Sequence, residues 1–468
     1  MSDELVWLSA AGLAHGIRTK RFTPVEVVEA HLRRIEAVNP KVNAVVTMVD
    51  GAVDAARKAG QAVMRGRRLG PLHGVPFTIK DSFNTAGVRT TGGSRLFKDN
   101  VPRADATVVA RLKRAGGVFI AKTNMPEFAM DAETSNVLFG RTCNPWNRDR
   151  STNGSSGGEA AAIACGMSPL GIGSDVAGSI RAPAAYCNIL GLKATHGRIP
   201  LTGHWPEVLH RYMHVGPMAR TAADIDLALS ILAGPDGVDL YAAPLKYKRV
   251  DLARPLEKLR IGWSAENGYK PVAKEVQRTV GRAASALADA GCVVEPARMD
   301  WLDRRDYQAE FFDVLASEVA GVARPMVAGR ESELAPNMTR FLTWPMPSFE
   351  RYLAAINGFQ ELRNDTAAFF QKYDVMLGPT SPVLPHPYGE AEHSVDGLKV
   401  PRYHVSKNTA PWDATGSPAL SVPFGWSSDG LPIGVQLVGR HFDEATLLRV
   451  AAALETAAEK PGRTPPVW

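Results

Sequence analysis

Short apolar runs alternate with helix-length stretches along almost the whole chain, and this alternation limits the possible folds more than any other feature. Residues 75–79, 118–121, 170–173, 259–263, 292–294, 374–377, 419–422 and 433–438 are short apolar or glycine-thinned runs. Runs of that length read as strands, the most apolar of them buried on both faces. Between them, residues 53–64, 105–115, 159–165, 182–190, 272–290 and 444–454 have helical spacing or are rich in alanine. An earlier helix starts at Thr23-Pro24-Val25-Glu26, where Thr23 suits the N-cap, Pro24 the first turn and Glu26 a capping box. Asn39-Pro40 is expected to end it. Strands alternating with helices predict an α/β fold: a mixed central β-sheet flanked by helices on both faces. No repeat or low-complexity linker divides the chain, so one domain is expected over residues 1–468.

The composition narrows the function classes. Hydrophobic residues make up 45% and charged residues 22%, as in an ordinary globular protein able to bury a large core. The net charge of +6 invites a nucleic-acid partner, but the basic residues are scattered. Their densest runs, Arg18-Thr19-Lys20-Arg21 and Arg65-Gly66-Arg67-Arg68, are short and lack interleaved aromatics, so no nucleic-acid partner is expected. Cys143, Cys165, Cys187 and Cys292 are far apart and form no C-x-x-C, which argues against a zinc site or a disulfide framework. Four thiols in such a chain suit a reducing compartment. Met1-Ser2-Asp3-Glu4 has no apolar leader behind it, and no stretch approaches the ~20 apolar residues that span a bilayer. A cytoplasmic protein with no membrane partner is expected.

Three segments carry chemistry. The first, Ser151-Thr152-Asn153-Gly154-Ser155-Ser156-Gly157-Gly158-Glu159, is a serine- and glycine-rich lead into a helix. Such turns bind anions, but the lysine of a phosphate-binding P-loop is missing. In the second, Gly173-Ser174-Asp175-Val176-Ala177-Gly178-Ser179-Ile180-Arg181, small residues let backbone N–H groups converge, as an oxyanion hole requires. The third, His73-Gly74-Val75-Pro76-Phe77-Thr78-Ile79-Lys80-Asp81, delivers Lys80 at the end of a buried strand. Burial disfavours the ammonium, and a neutral lysine is a competent general base.

Together these segments resemble the amidase signature family. Gly154-Ser155-Ser156-Gly157-Gly158 and Gly178-Ser179-Ile180-Arg181 are similar to its two serine motifs. The separations, 155 − 80 = 75 and 179 − 155 = 24, agree with its arrangement. Further similar stretches are Lys122-Thr123-Asn124-Met125-Pro126-Glu127-Phe128, Gly191-Leu192-Lys193-Ala194-Thr195, Gly216-Pro217-Met218-Ala219-Arg220-Thr221, Gly416-Ser417-Pro418-Ala419 and Gly430-Leu431-Pro432-Ile433-Gly434-Val435-Gln436. The resemblance implies a helical segment at 1–65, a signature core at 66–235, a variable and mostly helical region at 236–370 and a C-terminal part of the core at 371–468.

It also implies a Ser-Ser-Lys triad. Ser179 would be the nucleophile, Ser155 (in a cis peptide) the bridge and Lys80 the base. The N–H groups of Val176, Ala177, Gly178 and Ser179 would form the oxyanion hole. An acyl-enzyme on Ser179 would be hydrolysed by water, with neither metal nor organic cofactor. The family pattern has Thr-Gly-Gly where this chain has Val176-Ala177-Gly178, and Asn-Leu-Thr-Gly where it has Asp413-Ala414-Thr415-Gly416. These departures bear on the substrate rather than the reaction.

The expected activity is hydrolysis of a small amide, anilide or carbamate (urethane) by a monomer or homodimer. Phe128, Met130, Asn153, Gly154, Trp205 and Arg211 are the candidate substrate-binding residues. Residues 203–215 form an expected loop unusually dense in aromatics and histidines. One alternative is the glutamine-hydrolysing subunit of a transfer-RNA-dependent amidotransferase. Another is a silent binding protein on the same scaffold, which the presence of Lys80, Ser155 and Ser179 argues against.

Overall fold

A computed structural model describes residues 2–266, 270–458 and 464–466. Its centre is one sheet of eleven strands: β1 (Val45–Met48), β2 (Pro76–Lys80), β3 (Val118–Thr123), β4 (Leu170–Asp175), β5 (Leu190–Lys193), β6 (His214–Ala219), β7 (Arg260–Trp263), β8 (Val293–Pro296), β9 (Val375–Pro379), β10 (Ala419–Trp426) and β11 (Pro432–Gly439). Across the sheet the order is β1-β3-β2-β4-β6-β5-β10-β11-β9-β7-β8. Pairings are parallel at β3-β2-β4 and at β9-β7-β8 and antiparallel elsewhere, which is the mixed sheet expected.

Strand β4 shows how sequence alternation places the layers. Side chains of a strand point alternately to its two faces. Leu170 and Ile172 join the large core cluster that contains Val108, Ile225, Val280 and Leu447 from four helices. Gly171 and Gly173 face the other way, toward α1 (Gly157–Ala164) and α2 (Arg181–Cys187). A Cβ at 171 would lie 1.8 Å from Glu159 Oε1, and one at 173 would lie 2.8 Å from Ser156 Oγ. The glycines therefore let both helices sit directly on the strand.

Two long helices, α3 (Tyr307–Val327) and α4 (Phe349–Lys372), pack together outside the sheet. With α5 (Ala410–Thr415) they cover a second apolar cluster that includes Phe128, Val176, Tyr212 and Trp412. The 236–370 region is not helical throughout, because its strands β7 and β8 extend one edge of the sheet.

Several boundaries differ from expectation: the helix expected over 182–190, for one, ends at Cys187, and Leu190 opens β5. The helix opened by Thr23 has its full capping box but runs on through Pro40 to Val42. Pro40 falls in the last turn, and the helix ends at Asn43, which adopts a left-handed conformation with φ 52°. The loop expected at 203–215 stops at Met213, since His214 and Val215 pair with Asp175 and Ser174 in β6. Among the described residues, no helix is long and apolar enough to cross a membrane.

Candidate active site

Lys80 is the last residue of β2, and β4 pairs with that strand. Its side chain is fully buried, with Nζ 2.6 Å from Ser155 Oγ and 3.0 Å from Ser174 Oγ. Burial lowers the Lys80 ammonium to about 7, while the carboxylates of Asp175 and Glu159 pull the other way. The amine is thus available as a base at neutral pH. Behind it, Glu159 on α1 accepts hydrogen bonds from the Thr78 and Thr123 hydroxyls. Its own burial lifts its carboxyl to about 7, so this corner carries little net charge near neutrality.

Ser155 lies just before α1, and the Gly154–Ser155 peptide is cis. Ser179 lies just before α2. The two segments are joined through the backbone, where the Ser156 N–H donates to the Ser179 carbonyl at 3.1 Å. No direct hydrogen bond joins the Ser155 and Ser179 hydroxyls among the described residues. Contacts of this kind often tighten only when substrate arrives. Ser179 is 9% exposed, against 1% for Ser155 and 0% for Lys80, so of the three it lies nearest to solvent.

The turn between β4 and α2 is held by Asp175. Its carboxylate accepts the N–H of Gly178 at 2.6 Å, of Ile180 at 3.0 Å and of Arg181 at 3.3 Å. This corrects the expected oxyanion hole: the Gly178 N–H is taken by Asp175 and is not free for a ligand. Gly178 serves the turn by its shape instead. Its φ is +113°, and a Cβ there would lie 2.3 Å from Thr409 Oγ1. The N–H groups of Val176, Ala177 and Ser179 have no protein acceptor among the described residues, so they are the donors available at this turn.

Sequence reasoning missed the group that locks this turn. Arg181 is fully buried, and all five of its donors are used. Nε and Nη2 donate to Asp175 at 2.9 Å each, and Nη2 also donates to Asp413 at 2.6 Å. Nη1 donates to the Thr409 carbonyl at 3.0 Å and to Gln436 Oε1 at 2.9 Å. The Thr409 hydroxyl in turn donates to the Ala177 carbonyl at 2.7 Å. One signal was present in the sequence: an arginine directly after a turn of small residues, shortly beyond an aspartate that ends an apolar strand.

An apolar wall adjoins the turn. Phe97, Phe128 and Trp205 meet edge to face, with ring centroids 4.4, 5.2 and 6.1 Å apart. They belong to one cluster with Met130, Val176, Leu209 and Ala177. The loops bearing them are tied to the strand end that carries Lys80. The Trp205 N–H donates to the Ser82 carbonyl at 2.6 Å, the Gly92 N–H to the Asp81 carbonyl at 3.2 Å and the Phe128 N–H to the Gly92 carbonyl at 2.9 Å. Phe128 itself has a φ of 53°, an uncommon conformation for a bulky residue.

Phe128, Met130 and Trp205 are therefore brought together beside the turn. Asn153 and Gly154 are buried next to Ser155, where Asn153 Oδ1 accepts the Gly154 N–H at 2.8 Å. Arg211 is not part of the wall. It is exposed and donates to Glu318 on α3 and to the Tyr352 hydroxyl on α4, both at 2.9 Å. A guanidinium finds water and carboxylate partners there that an apolar wall lacks. Among the described residues, no group of three or more His, Cys, Asp or Glu side chains is arranged to hold a metal ion.

Lys80 beside the Ser155 hydroxyl, with Ser179 on the adjoining turn, is the arrangement of a candidate hydrolase site. The sequence profile of the amidase family matches residues 26–448, and the chain belongs to this family, the amidase signature enzymes. It is 37% identical to a glutamyl-tRNA(Gln) amidotransferase subunit of Moorella thermoacetica, over 99% of each chain. It is 35% identical to an acylamidase of Rhodococcus erythropolis, over 97% of this chain and 96% of that one. Its fold is similar to that of a bacterial aryl acylamidase of the amidase signature family, with a TM-score of 0.89, 29% identity and 96% of both chains covered. The chain is an enzyme that hydrolyses amide C–N bonds.

Proposed function

We propose that this amidase cleaves small amides with an apolar acyl or aryl group, through an acyl-enzyme on Ser179. The observation that carries the mechanism is Lys80: a fully buried amine, lowered to about 7, at 2.6 Å from Ser155 Oγ. In this reading Lys80 accepts the Ser179 proton through the Ser155 hydroxyl as Ser179 Oγ attacks the carbonyl carbon. The N–H groups of Val176, Ala177 and Ser179 stabilise the tetrahedral oxyanion. Lys80 then returns the proton to the leaving nitrogen, and the C–N bond breaks. Water, deprotonated by the same route, releases the acid and restores Ser179. The Phe97, Phe128 and Trp205 wall, with Met130, is the substrate's apolar contact, and Asn153 and Gly154 border it. Amides, anilides and carbamates all present the carbonyl this site requires. We read the chain as one domain acting in the cytoplasm as a monomer or homodimer.

The test is intact-protein mass spectrometry after treatment with a fluorophosphonate. One adduct on the wild type and none on Ser179→Ala is the expected result, whereas an adduct on both variants would overturn the nucleophile assignment.

The identity to the glutamyl-tRNA(Gln) amidotransferase subunit favours a second reading, glutamine hydrolysis for a partner enzyme. Against it stands the apolar wall, which offers nothing to the charged α-amino and carboxylate groups of glutamine. Ammonia release from glutamine exceeding turnover of an aryl amide such as an anilide would reverse the preference.

A further inference from the structure

The buried cluster behind the nucleophile turn holds more acid than its one permanent cation balances. Arg181 bridges two carboxylates, Asp175 on β4 and Asp413 on α5, and all three side chains are 0% exposed. Asp175 also takes the three N–H groups of the turn, so it is the natural anion of the pair. Asp413 is the surplus carboxylate. Two carboxylates this close in a dry site do not both ionise unless a second positive charge is present.

The titratable groups around Asp413 come from several elements, including His441, whose Nε2 lies 3.1 Å from the Thr415 carbonyl on α5. His214 on β6 places Nδ1 3.2 Å from Asp413 Oδ1, and neither ring nitrogen has a hydrogen-bond partner among the described residues. Lys193 on β5 is fully buried, with Nζ donating to the Ser417 carbonyl at 2.5 Å. His196 stacks edge-on against His214 at 5.6 Å. Glu444 lies beyond Lys193 and is paired with Arg198 at 2.9 Å. Burial raises Asp413 well above the usual carboxylate range and lowers Lys193 to about 7, so one proton has a choice of sites.

We propose that Asp413 is a positioning residue, and that the Asp413, His214 and Lys193 cluster holds one proton that allows Arg181 to keep both carboxylates and the Ser179 turn in place. Loss of that proton in alkali leaves a second buried negative charge competing with Asp175 for Arg181. The three N–H bonds from the turn to Asp175 then weaken, and Ser179 and the donors beside it lose their alignment. This is an alkaline limit on the reaction that is separate from Lys80, whose deprotonation favours it. The inference rests on Ser179 being the nucleophile.

The experiment is the rate of fluorophosphonate labelling of Ser179 from about pH 6 to about pH 10, each variant scaled to its own maximum. The wild type is expected to rise with pH as Lys80 loses its proton and then fall again in alkali. Asp413→Asn keeps an oxygen for Arg181 but cannot ionise. It should retain the acid limb and move the alkaline fall upward by about one pH unit or more. Lys193→Met removes the other proton carrier at similar volume and should move the alkaline fall to lower pH. An alkaline fall that stays in place in both variants, or no fall in the wild type, overturns the proposal while leaving Ser179 as nucleophile. No labelling of the folded wild type at any pH removes the underlying reading itself.

Discussion

Residues 174–181 are held by side-chain hydrogen bonds and buried charge, whereas the side chains of the neighbouring wall, Phe97, Phe128 and Trp205, meet only through ring contacts. The two regions meet at Val176 and Ala177, yet they respond to change differently. Directional bonds in a dry site leave unpaired groups behind when one partner goes, and each such group is costly. Apolar contacts are non-directional, and hydrophobic swaps of similar volume are usually tolerated. Under the proposed function, the turn would therefore define the reaction and the wall the substrate range.

The largest expected effect falls on the base that serves the turn. Lys80→Met should lower the acylation rate by about a thousandfold or more, as loss of a unit member usually does. It should also flatten the acid limb. In the wild type that limb has a definite sign: Lys80 is protonated below about 7 and cannot accept a proton, so acylation falls as pH drops through that value. A wild-type acylation rate that is level from about pH 8 to about pH 5 would contradict the base assignment.

Gly178→Ala comes next, because it attacks the turn's shape without touching a functional group. With φ at +113° and a Cβ 2.3 Å from Thr409 Oγ1, the turn must move. A rate loss of about a hundredfold is expected, since small displacements of catalytic groups cost that much. Unchanged kinetics would show the turn to be as forgiving as the wall.

Trp205→Ala probes the wall. The kcat/KM for an aryl amide should fall by about tenfold to a hundredfold, the range for losing apolar contact in a pocket. Fluorophosphonate labelling of Ser179 should stay within about threefold, since the probe needs only the turn. Equal losses in both assays would erase the distinction between the regions. The smallest effect belongs to Arg211→Ala, which breaks an exposed pairing worth less than about 1 kcal/mol. Neither kcat/KM nor labelling should change measurably, and a strong loss on the aryl amide would return Arg211 to the substrate site.

Much of this was legible in the sequence. The α/β alternation and the order of apolar runs follow from local pattern, and the motifs that resemble the amidase signature point to Lys80 and Ser155, which lie together. Phe128, Met130 and Trp205, candidate substrate contacts in the sequence, share one apolar cluster in the fold, which periodicity alone does not predict. The failures share a cause. Arg211 was misplaced because an arginine within an aromatic loop looks the same whether it turns in or out. Only α3 and α4, about a hundred residues or more downstream, supply Glu318 and Tyr352 to draw it outward. In the sequence the Gly178 N–H reads as an oxyanion donor, because a glycine-bearing turn does not reveal which of its N–H groups a nearby carboxylate takes.

By itself, then, the sequence determined the strand and helix periodicities, the glycines that thin β4 and the serine and lysine motifs that resemble the amidase signature. All of these depend on residues close together along the chain or on short motifs. Tertiary structure alone decided that Arg181 would join Asp175 to Asp413 and Gln436, far downstream. The partners of a buried charge depend on what the rest of the chain packs around it, and no local pattern encodes that.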